Sequence, residues 1–291
     1  GDGRCYYVAN QNVGNAVIAV YSGEDQTGDI LWSWHIWGVG DEMPSDEEYT
    51  NKVGSKFTVM DRTLGAHSKT SLYATLYQWG RKDPFPNTST YYVDGVATDV
   101  ETSFPIYVSQ TGTIVETVQH PGEMQKYIDN THGNWMAEAN NYLWGDANLT
   151  KPAWPDYLED PIACAGWTDV KTIYDPCPPG YKVPDMRPYK VVRDKFFLTG
   201  KFDFKVSDSY VSFVSFQTSP RTLYFPNGGR YYVGERGGSI LYAWTTGVVT
   251  PNESHIVFTC TYNDSKKEFD VCNMNAGIVD ESFTQVRCIS E

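Results

Sequence analysis

The stretch AVIAVYSGEDQTGDILWSWHIW, residues 16–37, decides the fold class of this chain. It holds two runs of β-branched and aromatic residues, AVIAVY at 16–21 and DILWSWHIW at 29–37, joined by the polar segment SGEDQTG. Runs of this composition, separated by a turn-forming segment, are typical of paired β-strands. We therefore predict a β-hairpin near the start of the sequence.

Alternation along the second run divides its side chains between the two faces of the predicted hairpin. One face is wholly apolar and consists of Ile30, Trp32, Trp34 and Ile36. The opposite face mixes polar and apolar side chains and consists of Leu31, Ser33, His35 and Trp37. Because apolar side chains favour burial, we expect the first face to pack against the core.

The rest of the chain continues the β-rich pattern, with Gly, Pro, Asn and Asp between short apolar runs. The further predicted strands are 56–60, 210–217, 221–225, 240–246, 255–262, 268–274 and 283–289, and the aromatic segment 72–79 is expected to be buried. Large rings in such runs bury the most apolar area. The tryptophans expected in the core are Trp32, Trp34, Trp79 and Trp244.

Helical signals are short. Apolar residues repeat with helical spacing at 124–128 and at 135–143, and the spacing of Ser45 and Glu48 favours one capped helical turn. The segment 87–118 is rich in Thr, Ser, Tyr and Val, which predicts exposed strands and turns.

The fold class predicted by these elements is α+β and β-rich. Because no linker divides the sequence, we expect an N-terminal β extension at 1–55 packed on one main domain at 56–291.

Charge and hydropathy exclude several classes of protein. The chain has 291 residues, and its 36 acidic and 23 basic residues give a net charge of −13. A surface this acidic repels phosphate backbones, so we expect no nucleic-acid partner. The longest apolar run, 16–21, is far shorter than the roughly 20 residues of a membrane helix. The chain starts without the basic and apolar segments of a secretion signal, so we expect that any such signal was removed or was never present.

Six cysteines are present, and no two form a C-x-x-C pair: Cys5, Cys164, Cys177, Cys260, Cys272 and Cys288. An exported protein more often pairs its thiols, whereas in a reducing cytosol the same residues serve as small buried side chains. Composition alone leaves both interpretations open.

Strand register supports one cysteine pairing. A hairpin turn that places Asp264 opposite Glu268 also places Tyr262 opposite Asp270 and Cys260 opposite Cys272. Directly opposed residues of an antiparallel pair lie close enough for a disulfide. A shift of one residue would remove this match.

Seven phrases of the sequence carry a family resemblance. They are GNAVIAV at 14–20, DILWSWHIW at 29–37, VMDRTLGA at 59–66, LYQWGRKDPF at 76–85, LWGDANLTK at 143–151, KTIYDPCPPGYKVP at 171–184 and QVRCISE at 285–291. Together they resemble the fimbrillin-like surface lipoproteins of gut Bacteroidetes. From about residue 56 onward the chain resembles the Fibrobacter succinogenes major paralogous domain, which has a C-type-lectin-like fold. The segment 153–170 departs from this pattern and looks inserted.

The resemblance implies two disulfides. In the lectin-like fold one bridge ties the early helix region to the final strand, which at the matching positions implies Cys177–Cys288. The second bridge of that fold, near the last strands, matches Cys260–Cys272. Cys5 and Cys164 remain, and by elimination they are candidates for a third pair that the family pattern does not support.

Aromatic residues in loops are the candidate ligand-binding residues, because flat rings stack on the faces of sugars. They lie around the apparent insertion and in the Gly-rich segment 228–238, and they are Trp144, Trp154, Tyr157, Trp167, Tyr231 and Tyr232. We expect no catalytic residue, metal ligand or cofactor, since the histidines lack metal-binding spacing and the calcium-binding triplets of C-type lectins do not occur. Asp83 and Asp175 are expected to bond within local turns, with Arg62 and Arg81 as ion-pair partners.

The function implied by the resemblance is that of an exported, non-enzymatic adhesion or carbohydrate-binding module. Its expected location is the bacterial cell surface, with a lipid outside the given residues as its anchor in the outer membrane. Its expected partners are a glycan or a host or bacterial surface protein, and fimbrial subunits. A structural fimbrial subunit without a soluble ligand is the first alternative, and a polysaccharide-degrading enzyme with paired carboxylates is the second.

Overall fold

The fold was determined from a computed structural model of the chain. It describes residues 13–50, 56–71, 74–87, 90–93, 96–99, 105–129, 134–138, 142–144, 170–185, 188, 210–214, 222–226, 230–232, 235–237, 240–250, 254–263, 268–278 and 282–291. For several of the later strands only the backbone is described.

Short strands make up most of the described part of the chain. Those of the first half are β1 (Gly14–Tyr21), β2 (Ile30–Gly38), β3 (Asp46–Thr50), β4 (Lys56–Met60), β5 (Thr75–Gln78), β6 (Phe85–Pro86), β7 (Thr90–Val93), β8 (Val96–Asp99), β9 (Ile106–Ser109) and β10 (Met124–Tyr127). Those of the second half are β11 (Tyr181–Lys182), β12 (Tyr210–Val214), β13 (Thr222–Pro226), β14 (Arg230–Tyr232), β15 (Glu235–Gly237), β16 (Ile240–Thr250), β17 (Ser254–Asn263), β18 (Glu268–Ile278), β19 (Phe283–Thr284) and β20 (Ile289–Ser290). The helices are a 3-10 turn, Glu24–Gln26, and α1, Ile114–Gln119. The prediction of a β-rich fold is confirmed.

The strands form several small sheets. The largest has the order β15-β14-β19-β5-β6, and a four-stranded sheet has the order β11-β20-β4-β3. A third sheet, β16-β17-β18, is antiparallel throughout. The other described pairs are β1–β2, β7–β8 and β12–β13, which are antiparallel, and β9–β10, which is parallel.

The C-terminal strands pair with strands from the first third of the chain. In the two largest sheets β19 pairs with β5 and β20 pairs with β4, so residues near the C-terminus complete sheets begun some two hundred residues earlier. A disulfide between Cys177 and Cys288 reinforces this closure, with 5.9 Å between the two Cα atoms. The bridge implied by the family resemblance is therefore present, and both cysteines are buried.

A buried carboxylate shapes the loop that carries Cys177. Asp175 accepts hydrogen bonds from the backbone N–H groups of Cys177 at 2.8 Å and Val183 at 2.9 Å, and from Lys171 Nζ at 3.2 Å. Burial raises the pKa of Asp175, although Lys171 and the two N–H groups act in the opposite direction. Its expected role in a local turn is confirmed, and the turn positions the sulfur of Cys177.

Four fully buried tryptophans tie the core together through their indole N–H groups. Each donates to a backbone carbonyl oxygen of a different segment: Trp79 to Thr245 at 2.9 Å, Trp135 to Trp79 at 2.9 Å, Trp144 to Tyr174 at 3.1 Å and Trp244 to Tyr77 at 2.7 Å. These rings therefore supply apolar area without leaving a polar atom unsatisfied. The predicted burial of Trp79 and Trp244 is confirmed.

The N-terminal hairpin forms as predicted but turns its other face inward. Ser33 is 1% exposed and Trp37 packs on the core, whereas Trp34 is 41% exposed and Trp32 is half-buried. The prediction that the wholly apolar face packs on the core is therefore wrong. The physical reason is that Ser33 and the neighbouring His35 find hydrogen-bonding partners in the main domain, described below, so their burial is compensated.

Three local predictions near the middle and start of the chain are also wrong. Residues 46–50 form β3 rather than a helical turn, and 124–127 form β10 rather than a helix. Within 135–143, the residues that the structure describes form bends and turns. The sheet partners β4 and β9 decide the first two cases, because tertiary pairing overrides weak helical spacing. Since β3 pairs with β4, the boundary expected at residue 55 falls inside one sheet.

Helix α1 occurs in a segment predicted as strands and turns. Thr113 begins it with a capping box, in which the Thr113 side chain accepts from the Glu116 N–H and the Glu116 carboxylate accepts from the Thr113 N–H. The Ser109 hydroxyl donates to the same carboxylate at 2.5 Å. Burial favours the neutral acid, but these hydrogen bonds outweigh it and lower the pKa of Glu116 to about 2.

The predicted register of the two late cysteines is confirmed by the backbone of β17 and β18. Cys260 lies opposite Cys272, although Tyr262 lies opposite Phe269 rather than Asp270. A bulge between Thr261 and Tyr262 corrects the one-residue offset near the turn. The side chains of both cysteines lie outside the described residues, as do Cys5 and Cys164.

Candidate functional site

Trp144 is not a surface residue. It is 1% exposed, and its ring lies 5.4 Å from that of Trp79 and 6.5 Å from that of Trp244, measured between ring centroids. The prediction that Trp144 stacks on a ligand is therefore wrong, because the ring is enclosed by the core tryptophans.

The other predicted binding residues fall outside the side chains that the structure describes. Trp154, Tyr157 and Trp167 belong to undescribed residues, and for Tyr231 and Tyr232 only the backbone is described. That backbone forms β14, which pairs with β15. The segment 228–238 therefore contains a strand pair where a loop was expected.

An exposed tryptophan of the described chain lies instead on the N-terminal hairpin. Register pairs Ala16 with Ile36, Ile18 with Trp34, and Val20 with Trp32, and side chains opposite one another share a face of a sheet. We call this the outer hairpin face, and its residues are Ala16, Ile18, Val20, Trp32, Trp34 and Ile36. Trp34 and Val20 are its most exposed large side chains, at 41% and 40%.

Trp32 links the outer hairpin face to the main domain. Its ring lies 6.0 Å from that of Tyr174, and the Lys82 ammonium lies 4.5 Å from the centre of the indole. Tyr174 packs in turn against the core. These contacts hold Trp32 in place, whereas Trp34 keeps an open ring beside it.

The opposite side of the hairpin is fixed by a buried ionic network. The Ser33 hydroxyl donates to Asp83 Oδ1 at 2.6 Å, and Lys82 Nζ lies 2.7 Å from the same oxygen. Lys82 also donates to the Ser33 carbonyl at 3.0 Å and to its hydroxyl. Burial lowers the pKa of Lys82, and Asp83 partly offsets this effect. Asp83 therefore bonds across 50 residues of sequence, not only within its own turn as expected.

His35 forms the second attachment of the hairpin. Its Nδ1 lies 3.1 Å from the Tyr77 hydroxyl, and its Nε2 lies 2.9 Å from Asn15 Oδ1. Burial lowers the pKa of His35 to about 4, so the ring is neutral at physiological pH. Burial likewise raises the pKa of Tyr77.

Asn15 completes this attachment through a glycine. Its amide donates to the Gly65 carbonyl at 2.8 Å. Gly65 has a φ of +83°, and a Cβ atom there would lie 2.4 Å from Thr75 Oγ1. Only glycine suits this position, which aims the carbonyl at β1.

The hairpin carries only negative formal charge. Residues 13–42 contain five acidic residues, all exposed, and no Lys or Arg: Glu24, Asp25, Asp29, Asp41 and Glu42. The first three lie at the hairpin tip, and the last two follow β2. The outer hairpin face is thus an aromatic surface with carboxylates at both ends.

Two of the buried arginines, Arg62 and Arg81, bond to neighbouring parts of the fold. Arg62 pairs with the adjacent Asp61, with Nε 2.8 Å from Oδ1, and with Glu42, with Nη2 3.6 Å from Oε1, rather than with Asp83 or Asp175 as expected. Arg81 donates to the carbonyls of Glu123 at 2.7 Å and His120 at 3.1 Å. Burial lowers the pKa of Arg81 to about 10. Both guanidinium groups therefore hold loops together.

Among the described residues, no group of three His, Cys, Asp or Glu side chains is placed to hold a metal ion. Within the same residues, neither helix has the length and apolar character needed to span a bilayer.

One pattern in the sequence bears on which face of the hairpin is exposed. Ser33 and His35 alternate with Trp32 and Trp34, and polar side chains at alternate positions mark either a solvent face or a bonded inner face. The distant partners Asp83 and Tyr77 decide between these options, and the hairpin alone does not reveal them.

Comparison of the chain with family models, with curated proteins and with solved structures found no match.

Proposed function

We propose that the protein is an exported, non-catalytic carbohydrate-binding or adhesion module that binds its ligand through the outer hairpin face. The observation that carries the proposal is the exposure of Trp34 beside Trp32 on a hairpin that is anchored to the main domain. An open indole on a rigid support offers a flat apolar surface at little entropic cost, which is what stacking on a sugar ring requires.

The disulfide supports export. Structural disulfides persist mainly in oxidising compartments, and the Cys177–Cys288 bridge closes a long loop between buried residues. We infer a position at the bacterial cell surface, with a lipid anchor outside the given residues holding the protein to the outer membrane.

A C-type-lectin-like architecture for the main domain is part of the same proposal. Two features support it: the return of β19 and β20 to the sheets of β5 and β4, and the bridge from the DPCPPGYKVP loop to the final strand. In this interpretation the hairpin adds a binding surface to a disulfide-closed scaffold.

A matched pair of variants tests the proposal. Purified protein, Trp34→Ala and Tyr92→Ala are applied to a broad glycan array and to immobilised mucin and matrix proteins. Tyr92 is 71% exposed on β7, so its replacement controls for loss of any exposed ring. We expect binding by the unmodified protein and by Tyr92→Ala, and at least about ten-fold weaker binding by Trp34→Ala, as for other tryptophans central to an interface. An unmodified protein that binds nothing on either panel would overturn the proposal.

A structural fimbrial subunit is the second candidate, and the outer edges of the hairpin favour it. Among the described strands, β1 and β2 pair only with each other, so each has one edge without a strand partner, and strand addition from a neighbour uses edges of this kind. Sedimentation of the full chain over a range of concentrations tests this candidate. Ordered oligomers that form equally well with Trp34→Ala would favour it, and a monomer at every concentration would count against it.

A further inference from the structure

The outer hairpin face has the shape of a platform rather than a pocket. It is one side of a two-stranded antiparallel pair, and its side chains lie in opposed rows along the two strands. A ligand that covers such a surface must itself be extended and have a flat apolar side. A β-linked chain of sugars with equatorial hydroxyls meets both needs, because its axial C–H bonds form flat apolar ring faces.

Charge restricts the ligand further. A polymer that runs along the hairpin passes the carboxylates of Glu24, Asp25 and Asp29 at one end and those of Asp41 and Glu42 at the other. No Lys or Arg within 13–42 offsets the three tip carboxylates, whereas Glu42 Oε1 lies 3.6 Å from the Arg62 guanidinium and Lys82 Nζ lies 4.5 Å from the centre of the Trp32 ring. A uronic-acid or sulfated polymer would therefore place like charges together at the hairpin tip.

The same carboxylates do not make a site for a single cation at Trp34. Asp29 precedes Trp34 by five residues, which is roughly 17 Å along a strand. The Debye length at physiological ionic strength is about 8 Å, so the field of these carboxylates is largely screened at the ring. Their charges act instead on those parts of a longer ligand that extend beyond the indole toward the hairpin tip.

We propose that the ligand of the outer hairpin face is an uncharged β-linked polysaccharide with equatorial hydroxyls, held by stacking on Trp34. This inference rests on the proposed function and names its ligand class. Stacking supplies the attraction, and the acidic hairpin tip disfavours polyanions.

Three derivatives of one β-linked glucan separate these contributions. Hydroxyethyl, carboxymethyl and quaternary-ammonium cellulose share a backbone and differ in charge, and each is immobilised for binding measurements at low and high salt. Unmodified protein, Trp34→Ala and the control Tyr92→Ala are compared. We expect Trp34-dependent binding to the neutral polymer that changes less than about two-fold with salt, and at least ten-fold weaker binding to the anionic polymer at low salt.

A charge-neutralised variant tests the acidic hairpin tip directly. In Asp25→Asn/Asp29→Asn the anionic polymer should regain affinity at low salt, while binding to the neutral polymer stays unchanged. The matched control is Asp129→Asn, an exposed carboxylate on the segment after β10. It should leave both affinities as they were.

The outcomes also separate this inference from the proposed function. Trp34-dependent binding that favours the anionic polymer, or binding confined to the cationic polymer and equal in Trp34→Ala, would overturn the ligand class. Trp34-dependent binding on the glycan array without any binding to the neutral polymer would overturn it as well and leave the proposed function standing. Absence of binding to every glycan and protein tested would overturn both.

Discussion

The Ser33 hydroxyl of β2 donates a 2.6 Å hydrogen bond to Oδ1 of Asp83, and both side chains are almost completely buried. This bond, with Lys82 as the third member, joins the hairpin to the loop after β5. The orientation of the hairpin, and therefore the exposure of Trp34, depends on it.

Removing the charge of Asp83 should loosen this attachment. In Asp83→Asn the Lys82 ammonium keeps its buried position but loses its carboxylate, and breaking a buried ion pair commonly costs about 3 kcal/mol. We expect a loss of that size in the free energy of unfolding, together with faster amide exchange in β1 and β2. Asp129→Asn, which removes an exposed charge, should change neither quantity. Unchanged exchange in the hairpin of Asp83→Asn would contradict this role.

Acid should destabilise the fold through His35. The pKa of His35 is about 4 in the folded protein and 6.5 in the unfolded chain. Between these two pH values the unfolded chain therefore binds a proton that the folded protein does not. The stabilisation is complete above pH 6.5 and is lost as the pH falls toward 4, by up to about 3 kcal/mol. Denaturant unfolding measured across this window checks the slope.

The variant His35→Gln serves as the control for that slope. Glutamine keeps a hydrogen-bonding side chain but does not titrate, so its stability should change less between pH 6.5 and 4. The carboxylate of Glu116, whose pKa is about 2 compared with an ordinary 4.5, begins to lose its contribution near pH 5 and does so equally in both proteins, so the difference between their slopes reports on His35. A slope that is the same with and without His35 would refute the assignment.

The disulfide should contribute strongly to stability. Cys177 and Cys288 are separated by 111 residues, and in the chain-entropy model a loop of that length gives about 4–5 kcal/mol. We expect Cys177→Ser/Cys288→Ser to lose most of this amount in denaturant unfolding. Because both sulfurs are buried, a reductant should cleave the bridge slowly unless denaturant is present. Peptide mapping without reduction that finds these two cysteines unlinked would contradict the fold.

Two tryptophans that look alike in the sequence should respond differently to substitution. Trp244 is fully buried and its indole donates to the Tyr77 carbonyl, so Trp244→Phe should cost about 2 kcal/mol from lost volume and an unpaired acceptor. Trp34→Phe should change stability by less than about 0.5 kcal/mol, since the ring is exposed. Equal losses in the free energy of unfolding of the two variants, measured by denaturant unfolding, would show that Trp34 is a core residue.

Strand periodicity predicted many of the described strands, because β1, β2, β4 and the β16–β18 sheet consist of dense β-branched and aromatic runs. It also placed Cys260 opposite Cys272, although a bulge changes the register nearer the turn. The family resemblance, not the spacing, supplied the Cys177–Cys288 bridge.

The inward face of the hairpin was not predictable from local pattern. Apolar content favoured the face of Trp34, but the partners that make Ser33 and His35 buriable lie some forty to fifty residues away. The burial of Trp144 was missed for the same reason, because its neighbours in the sequence are typical of a loop and the tryptophans that enclose it, Trp79 and Trp244, are distant in the chain. Long-range pairing also produced β3 and β10 where helical spacing was weak.

Indole ¹⁵N–¹H spectra recorded during titration with a neutral β-linked glucan oligomer test the central claim most directly. The sequence has nine tryptophans, and the signals of Trp32 and Trp34 are assigned from single Phe variants. We predict that the Trp34 signal shifts most and the Trp32 signal shifts with it, while the buried Trp79, Trp135, Trp144 and Trp244 stay in place. Shifts confined to other tryptophans, with Trp34 unchanged at saturation, would contradict the account.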